Sequence, residues 1–186
     1  MGHDKEKDNK WKTVSSDYLI KRPWLTARKD VVELPDGRVI PEYYVLEYPT
    51  WVNVVAITKD GEFVMEHQFR YAAGMTCFEI PCGVAEEGET PLEAIQRELK
   101  EETGYGGGEW KLLMKLSPNP TSMTNMTYCY LATGVEKVSE QKLDETEELS
   151  VHLMTRDEVW RLLERNEMIQ ALMVAPLMKY FMSYEK

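Results

Sequence analysis

A helix bounded on both sides by strong sequence signals is the feature that most constrains how this chain folds. Thr90 can cap its N-terminus, Pro91 then stands at the first helical position, and Glu93 completes a capping box. Gly104 is the expected C-terminal glycine. The last turns, in the stretch RELKEETG, concentrate three glutamates. That concentration needs an explanation, because like charges three or four residues apart destabilise a helix by about 0.2–0.5 kcal/mol per pair.

The positions of these glutamates favour a bound cation over a solvated acidic face. At ~100° per residue, one stripe of the helix is apolar and faces the core; it consists of Leu92, Ile95 and Leu99. Glu102 falls beside that stripe, Glu98 slightly further round, and Glu101 beyond it. A solvated face would lie opposite the stripe instead. Carboxylates at the edge of a buried face can share a hard divalent cation, and with no thiol or imidazole cluster the donor type indicates Mg²⁺ or Mn²⁺.

Composition is consistent with one folded domain and excludes several classes of function. The chain has 186 residues and is 43% hydrophobic, which suffices for one sizeable core. Residues 1–10 are charged and are predicted to be a flexible tail. The formal net charge of −10 argues against nucleic acid as a partner. No apolar run reaches the ~18 residues of a membrane span, no secretion signal is seen, and three cysteines without a disulfide pattern predict a cytoplasmic protein.

The order of strand and helix signals predicts an α/β fold of the α+β type. Two β-rich pairs flank the turns Pro35-Asp36-Gly37 and Lys59-Asp60-Gly61, and a further strand is expected near residues 76–80. After the glutamate helix come three strand patterns and two helical patterns, the second interrupted by Pro176. This order predicts a sandwich of helices around a mixed central sheet in residues 50–186. Residues 11–49 are predicted to form a small N-terminal antiparallel β-sheet.

Nine residues on and before the helix match a known family motif. They reproduce G-x5-E-x7-R-E-U-x-E-E-x-G-U, where U is a bulky apolar residue, through Gly83, Glu89, Arg97, Glu98, Leu99, Glu101, Glu102, Gly104 and Tyr105. Only the final tyrosine is unusual. The chain therefore resembles the Nudix hydrolases. The resemblance implies an α/β/α sandwich and a Mg²⁺- or Mn²⁺-dependent hydrolase of nucleoside diphosphates linked to another group.

By position in the motif, the resemblance also implies roles for individual residues. It makes Glu98 and Glu102 the principal metal ligands and Glu101 an auxiliary ligand or the general base. The backbone carbonyl of Cys82 is implied as a further ligand. Arg97 and Glu89 are implied as partners that fix the geometry of the catalytic carboxylates.

Residues outside the motif resemble those of ADP-ribose pyrophosphatases and related nucleoside-diphosphate-sugar hydrolases. Pro120 follows the motif by fifteen residues, as a marker proline of that subfamily does, although a proline ending a strand would look the same. Arg70 resembles a diphosphate-binding arginine, with a surface charge as the alternative. Glu79 resembles an acid that faces substrate and metals. The loop Asn119-Pro120-Thr121-Ser122 lacks the glycine and acids that follow the proline in many relatives, so the sugar and the nucleobase stay open.

The segment LDETEELSVHL contains four acids within residues 144–148. One interpretation is a solvated loop. The resemblance implies instead a loop that closes over the diphosphate and supplies the carboxylate that activates water. By position that carboxylate is Glu145, with Glu147 as the second candidate.

These expectations together describe a pyrophosphohydrolase that splits ADP-ribose, or a related nucleotide sugar, into a nucleoside monophosphate and a sugar phosphate. The N-terminal strands hold too few residues for a core of their own, so we expect a homodimer formed through them. Two alternatives stay open. One is a non-catalytic sensor of the same ligand, and the other is a hydrolase of GDP-mannose, NADH or a dinucleoside polyphosphate.

Overall fold

Two units make up the part of the chain that the structure describes, residues 9–144 and 147–184 of a computed structural model. The smaller unit comprises residues up to Tyr48 together with Asn119–Asn125. The larger unit comprises Pro49–Pro118 and the chain from Met126 onward.

The smaller unit is an antiparallel sheet in the order β1-β2-β3. Its strands are β1 (Lys12–Arg22), β2 (Leu25–Glu33) and β3 (Val39–Glu47). The turn predicted at Pro35-Asp36-Gly37 joins β2 to β3, so that hairpin is confirmed. Across the described residues of this unit, Val32 and Val45 are the only buried apolar side chains. The sheet therefore has almost no core of its own.

A mixed sheet forms the centre of the larger unit. Its strands are β4 (Trp51–Thr58), β5 (Phe63–Arg70), β6 (Met75–Glu79), β7 (Cys82–Val84), β8 (Tyr105–Gly106), β9 (Glu109–Leu116), β10 (Thr127–Lys137) and β11 (Leu149–Met154). The central order is β11-β5-β4-β10-β8, while β6 pairs with β5, β7 with β4 and β9 with β10. The pairing of β4 with β10 is parallel and the other pairings are antiparallel. The predicted mixed sheet is thus confirmed.

Helices cover both faces of this sheet. They are α1 (Pro91–Glu98), which continues into a π-helical turn (Leu99–Thr103), α2 (Arg156–Glu164) and α3 (Ala171–Tyr184). In the described ranges the longest helix, α3, has 14 residues, and a helix needs about 20 apolar residues to cross a bilayer.

Strand β4 shows why the sandwich forms. Its side chains alternate between two buried clusters, with Val52, Val54 and Ala56 packed beside α1. Val55 and Ile57 point to the other face and pack in the cluster that contains residues of α2 and α3. A strand covered on both faces is usually a nearly continuous apolar run, and WVNVVAIT is one apart from Asn53 and Thr58.

Helix α3 continues through Pro176, where the sequence predicted an interruption. Proline has no N–H, so the carbonyl four residues earlier loses its helical partner. That carbonyl belongs to Leu172, and the side-chain amide of Asn53 donates a hydrogen bond to it at 2.8 Å. The prediction was wrong because a distant residue on β4 supplies the donor that the proline lacks.

Candidate active site

The glutamate helix begins as predicted and ends at the predicted Gly104, but its last turn is π-helical. Thr90 and Glu93 form a reciprocal capping box, with Thr90 N–H donating to Glu93 Oε2 at 2.9 Å and Glu93 N–H donating to Thr90 Oγ1 at 3.3 Å. Regular α-helix stops at Glu98, and Leu99–Thr103 form a π-helical turn that ends at Gly104. Such turns are rare and occur frequently at functional sites. No signal in the sequence indicated this widened turn, which contains Glu101 and Glu102.

The three glutamates of the motif are buried to different degrees. Residue Glu102 is only 6% exposed, while the side chains of Glu98 and Glu101 are 14% and 39% exposed. This is the order expected from their angular distance to the apolar stripe. Glu98 and Glu102 therefore face the interior beside α1, and Glu101 lies at its border with solvent.

The backbone of β7 approaches both of the more buried glutamates. Cys82 N–H donates a hydrogen bond to Glu102 Oε2 at 3.2 Å. Next to it, a Cβ atom placed on Gly83 would overlap the side-chain carboxylate of Glu98. A glycine is therefore required at the first position of the motif for Glu98 to lie against this strand.

Arg97 fixes the outer side of the glutamate cluster. Its Nε and Nη2 donate to the two oxygens of Glu89 at 2.9 and 3.0 Å, and these hydrogen bonds lower the pKa of Glu89 to about 2. Nη1 lies 2.9 Å from Glu98 Oε1 and 3.2 Å from Glu101 Oε2, and Nη2 also donates to the carbonyl of Val84. One guanidinium thus ties the loop before α1 to the carboxylates at its end.

A fourth carboxylate, missed in the sequence, lies inside the cluster. Glu66 on β5 is fully buried, and neither of its oxygens receives a hydrogen bond from a donor in the described residues. It lies close enough to Glu102 for each of the two acids to affect the pKa of the other. The signal was available, since Glu66 is the one acid in the buried run FVME of an inner strand.

Burial raises the pKa of Glu102 well above its ordinary value, and the charges of Glu66 and Glu98 add to the effect. Burial likewise raises the pKa of Glu66, as does the charge of Glu79, and burial raises the pKa of Glu98. A divalent cation could replace the proton that this cluster retains. The donors are all carboxylate or carbonyl oxygens, which fits Mg²⁺ or Mn²⁺. As placed in residues 9–144 and 147–184, no three His, Cys, Asp or Glu side chains could hold a metal ion together, so these carboxylates would have to turn toward a bound cation, and water or substrate would complete the coordination.

These shifts predict how stability depends on pH when divalent cations are removed. In the unfolded chain Glu66 and Glu102 lose their protons near pH 4.5, whereas the folded protein keeps the proton of Glu66 up to about pH 8. The folded state binds more protons in this window, so the free energy of unfolding falls as pH rises. We expect Tm in EDTA to decrease between pH 5 and pH 8, and excess Mg²⁺ to raise Tm more at pH 8 than at pH 5. A Tm in EDTA that decreases equally in the Glu66→Gln variant would assign the effect to other groups.

Arg70 and Glu79 form an ion pair with each other. Arg70 Nε donates to Glu79 Oε1 at 2.9 Å, and a second guanidinium nitrogen contacts Glu79 Oε2. Glu79 is 2% exposed and stands opposite Glu66 in the pairing of β5 with β6. The side chain of Arg70 is 39% exposed. Arg70 therefore neutralises one buried acid of the cluster while part of its side chain stays accessible to a ligand.

The predicted loop base Glu145 lies outside the described residues. On either side of it, Asp144 and Glu147 are hydrogen-bonded to each other. Asp144 N–H donates to Glu147 Oε2 at 2.9 Å, and Glu147 N–H donates to the carbonyl of Asp144 at 3.0 Å. The charge of Glu147, the second candidate, contributes to the raised pKa values of Glu66 and Glu98. The structure thus brings Glu147 into the electrostatic range of the cluster.

The segment that leads into the acidic loop holds the end of the π-helical turn. Lys137 Nζ donates to the carbonyl of Thr103 at 3.0 Å, Val138 N–H to that of Gly104 at 2.8 Å, and Lys142 N–H to that of Glu101 at 2.8 Å. Gly104 has a φ of +73°, and a Cβ atom there would overlap the carbonyl of Ser139. Glycine is therefore needed at position 104 for two reasons: the backbone there is left-handed, and the chain at Ser139 passes too close to leave room for a side chain.

Pro120 belongs to the smaller unit, whereas the carboxylate cluster lies in the larger one. Within its unit, the loop around Pro120 is hydrogen-bonded to β3: Leu46 N–H donates to the carbonyl of Ser122 at 2.7 Å, and Thr124 N–H donates to that of Leu46 at 3.1 Å. The hydroxyl of Tyr43 also donates to the carbonyl of Thr121.

Comparison with known proteins gives consistent matches along the chain. Residues 48–175 match the family described as NUDIX domain, and residues 11–46 match the nucleoside diphosphate sugar hydrolase N-terminal domain. An ADP-ribose pyrophosphatase of Bacillus subtilis is 30% identical over 161 residues, which cover 86% of each chain. A methanol dehydrogenase activator of Bacillus methanolicus is 32% identical over 79% of this chain and 80% of its own. A crystal structure of an ADP compounds hydrolase superposes with a TM-score of 0.81 at 22% identity, covering 95% of this chain and 96% of that one.

Proposed function

The chain belongs to the Nudix family, and from that premise we propose that it is a Mg²⁺- or Mn²⁺-dependent enzyme that cleaves the diphosphate of ADP-ribose or a related nucleoside-diphosphate sugar. Like the family, it is a hydrolase of phosphorus-containing anhydrides. The proposed products are a nucleoside monophosphate and a sugar phosphate.

One observation carries the proposal: several acidic side chains are buried around the C-terminal end of α1, and most of them have no basic partner among the described residues. Glu66, Glu98 and Glu102 are all largely buried, and buried charges are normally paired or coordinate metals. Of the three, only Glu98 has an ion pair in the described part of the chain, with Arg97. A divalent cation would supply the missing positive charge.

Each residue has a part in the proposed reaction. Glu98 and Glu102 would hold the cation, with Glu101 and the backbone carbonyl of Cys82 as auxiliary ligands. A bound divalent cation neutralises charge on the diphosphate and lowers the pKa of an attacking water. Glu145 accepts the proton of that water.

The remaining residues position these groups or meet the substrate. Arg97, anchored by Glu89, keeps Glu98 and Glu101 in place. Arg70 and Glu79 meet the diphosphate side of the substrate, and Pro120 belongs to a loop that contacts its nucleoside or sugar.

The choice of ADP-ribose rests on similarity. The Bacillus subtilis relative is named ADP-ribose pyrophosphatase, and residues 11–46 match a domain named for nucleoside diphosphate sugar hydrolases. The loop Asn119-Pro120-Thr121-Ser122 departs from the subfamily pattern, so ADP-ribose is proposed together with related nucleotide sugars such as GDP-mannose.

A hydrolysis screen tests this function. The purified protein is assayed with Mg²⁺ or Mn²⁺ against ADP-ribose, GDP-mannose, NADH, dinucleoside polyphosphates and nucleoside triphosphates. We expect the fastest turnover with ADP-ribose or another nucleotide sugar, giving a nucleoside monophosphate and a sugar phosphate. Tight binding of one of these compounds without turnover by the wild-type protein would instead establish the non-catalytic sensor.

We also propose that the protein is a homodimer assembled through the smaller unit. β1 is exposed along its whole length in the single chain. Large apolar side chains are exposed on this unit, among them Trp11, Val14, Tyr18, Leu19, Ile20 and Trp24. So many exposed large apolar side chains on one small unit favour an interaction site there. A twofold mate would cover it and supply the core that the unit lacks.

Light scattering at micromolar concentration tests the dimer. We expect twice the mass of the chain, and a monomer for the double variant Leu19→Glu, Trp24→Glu, because charge would be placed on the covered surface. Leu112→Glu, at a side chain of the larger unit that is 52% exposed, is the matched control and should stay dimeric. A wild-type monomer with full activity would refute the proposal.

The proposed location is the cytoplasm. Cys77, Cys82 and Cys129 are free and buried, which fits a reducing compartment.

A further inference from the structure

Glu66 occupies a position where a charged side chain is not expected. It follows the buried residues Phe63, Val64 and Met65 on β5 and is itself fully buried. Side chains alternate along a strand, and Val64 packs in the cluster that contains α1 residues. Glu66 therefore points to the same face of the sheet as the glutamates of α1 and the π-helical turn.

The neighbouring acids have partners and Glu66 does not. Glu79 is bonded to Arg70, Glu98 to Arg97, and Glu102 to the N–H of Cys82. Both oxygens of Glu66 are buried without a hydrogen-bond donor in the described residues. The acid across the strand pairing, Glu79, is already bonded to Arg70 and offers Glu66 no positive charge. An ionised carboxylate buried in this way is very costly unless a cation compensates its charge.

We propose that Glu66, which is outside the family motif, is a further ligand of the divalent cation. Together with Glu102 of the motif it forms a buried pair of carboxylates that bind the cation. The inference rests on the proposed function, because the cation is the same one. It adds a side-chain ligand from β5 to those proposed on α1, the π-helical turn and β7. Carboxylate oxygens of this kind are ligands that Mg²⁺ and Mn²⁺ accept.

The alternative role for Glu66 is to share a proton with Glu102 and bind no cation. The two roles predict opposite effects of Glu66→Gln, which keeps the size of the side chain. If Glu66 only shares a proton, the amide can still donate a hydrogen bond to Glu102, and cation affinity is unchanged or higher. If Glu66 is a ligand, the variant loses a charged oxygen donor and cation affinity falls.

Mn²⁺ binding, followed through the electron paramagnetic resonance signal of free Mn²⁺, separates these outcomes without substrate. Wild type, Glu66→Gln, Glu102→Gln and the control Glu62→Gln, a carboxylate just before the same strand, are titrated under identical conditions. We expect Glu66→Gln to raise the Kd for Mn²⁺ at least about tenfold, as losses around metal sites usually do, and Glu62→Gln to leave it unchanged. Glu66→Asp should also bind more weakly, because the shorter side chain withdraws the carboxylate.

A melting curve in EDTA shows whether the variant folds. Removing an unpartnered buried acid should leave the Tm of Glu66→Gln equal to or above that of wild type, and Mn²⁺ should then raise it less than it raises wild type. Wild-type Mn²⁺ affinity in a folded Glu66→Gln variant would overturn the inference, while the proposed function would stand if Glu102→Gln still binds weakly. Turnover by the wild type that persists unchanged in EDTA would instead remove the proposed function.

Discussion

Glu98→Gln and Glu102→Gln should each lower kcat by roughly two orders of magnitude or more while leaving the fold intact. The loss of a metal-bound carboxylate removes charge stabilisation worth several kcal/mol, and 1.36 kcal/mol corresponds to about tenfold in rate. Glutamine is the informative replacement because its side-chain oxygen can still accept the hydrogen bond from Cys82 N–H at position 102. The measurement is kcat with saturating nucleotide sugar and Mg²⁺.

The same two variants should not lose thermal stability when metal is absent. Each variant removes one acid from a cluster of buried like charges, so Tm in EDTA should hold or rise. Glu87→Gln, on the exposed loop before α1, is the control and should keep wild-type kcat. A clear fall in metal-free Tm with activity retained would show that Glu98 and Glu102 are structural.

Glu145→Gln should lower kcat by roughly 10²–10⁴-fold, the range typical for loss of a general base. Its KM and its affinity for the cation should change little, because the proposed base is on a loop and is not a metal ligand. Rates are compared with those of Glu147→Gln and Glu101→Gln under the same conditions. Glu148→Gln, at the exposed end of the same acidic segment, is the control.

The two other candidates for the general base, Glu101 and Glu147, both accept hydrogen bonds in the structure. Glu101 Oε2 accepts a hydrogen bond from Arg97, and Glu147 Oε2 accepts one from Asp144 N–H. If Glu145→Gln kept near-full turnover and Glu101→Gln did not, the base would lie on the π-helical turn. The same loss in Glu147→Gln alone would assign the role to the second loop candidate.

Much of the fold could be predicted because its signals are local. The hairpins follow from turn residues between alternating strands, and the start of α1 follows from a capping box within four residues. The burial order of the three glutamates also follows from helical geometry, since Ile95 and Leu99 determine which side faces the core.

The features that could not be predicted depend on contacts between residues distant in sequence. Helix α3 tolerates Pro176 because Asn53, on a central strand, bonds the freed carbonyl. The ion pair of Arg70 with Glu79 forms across the pairing of β5 with β6. That Glu66 lacks a partner among the described residues can be recognised only in the folded structure. The sequence around it does not show which distant residues will surround its carboxylate.

The most direct test of a cation-dependent hydrolase is turnover of ADP-ribose, or of the best nucleotide sugar from the screen, by one sample before chelation, after EDTA, and after Mg²⁺ is returned. We expect turnover to vanish in EDTA and to recover fully with excess Mg²⁺, and Glu98→Gln to recover little. Turnover that persists unchanged in EDTA would contradict a catalytic cation at these carboxylates.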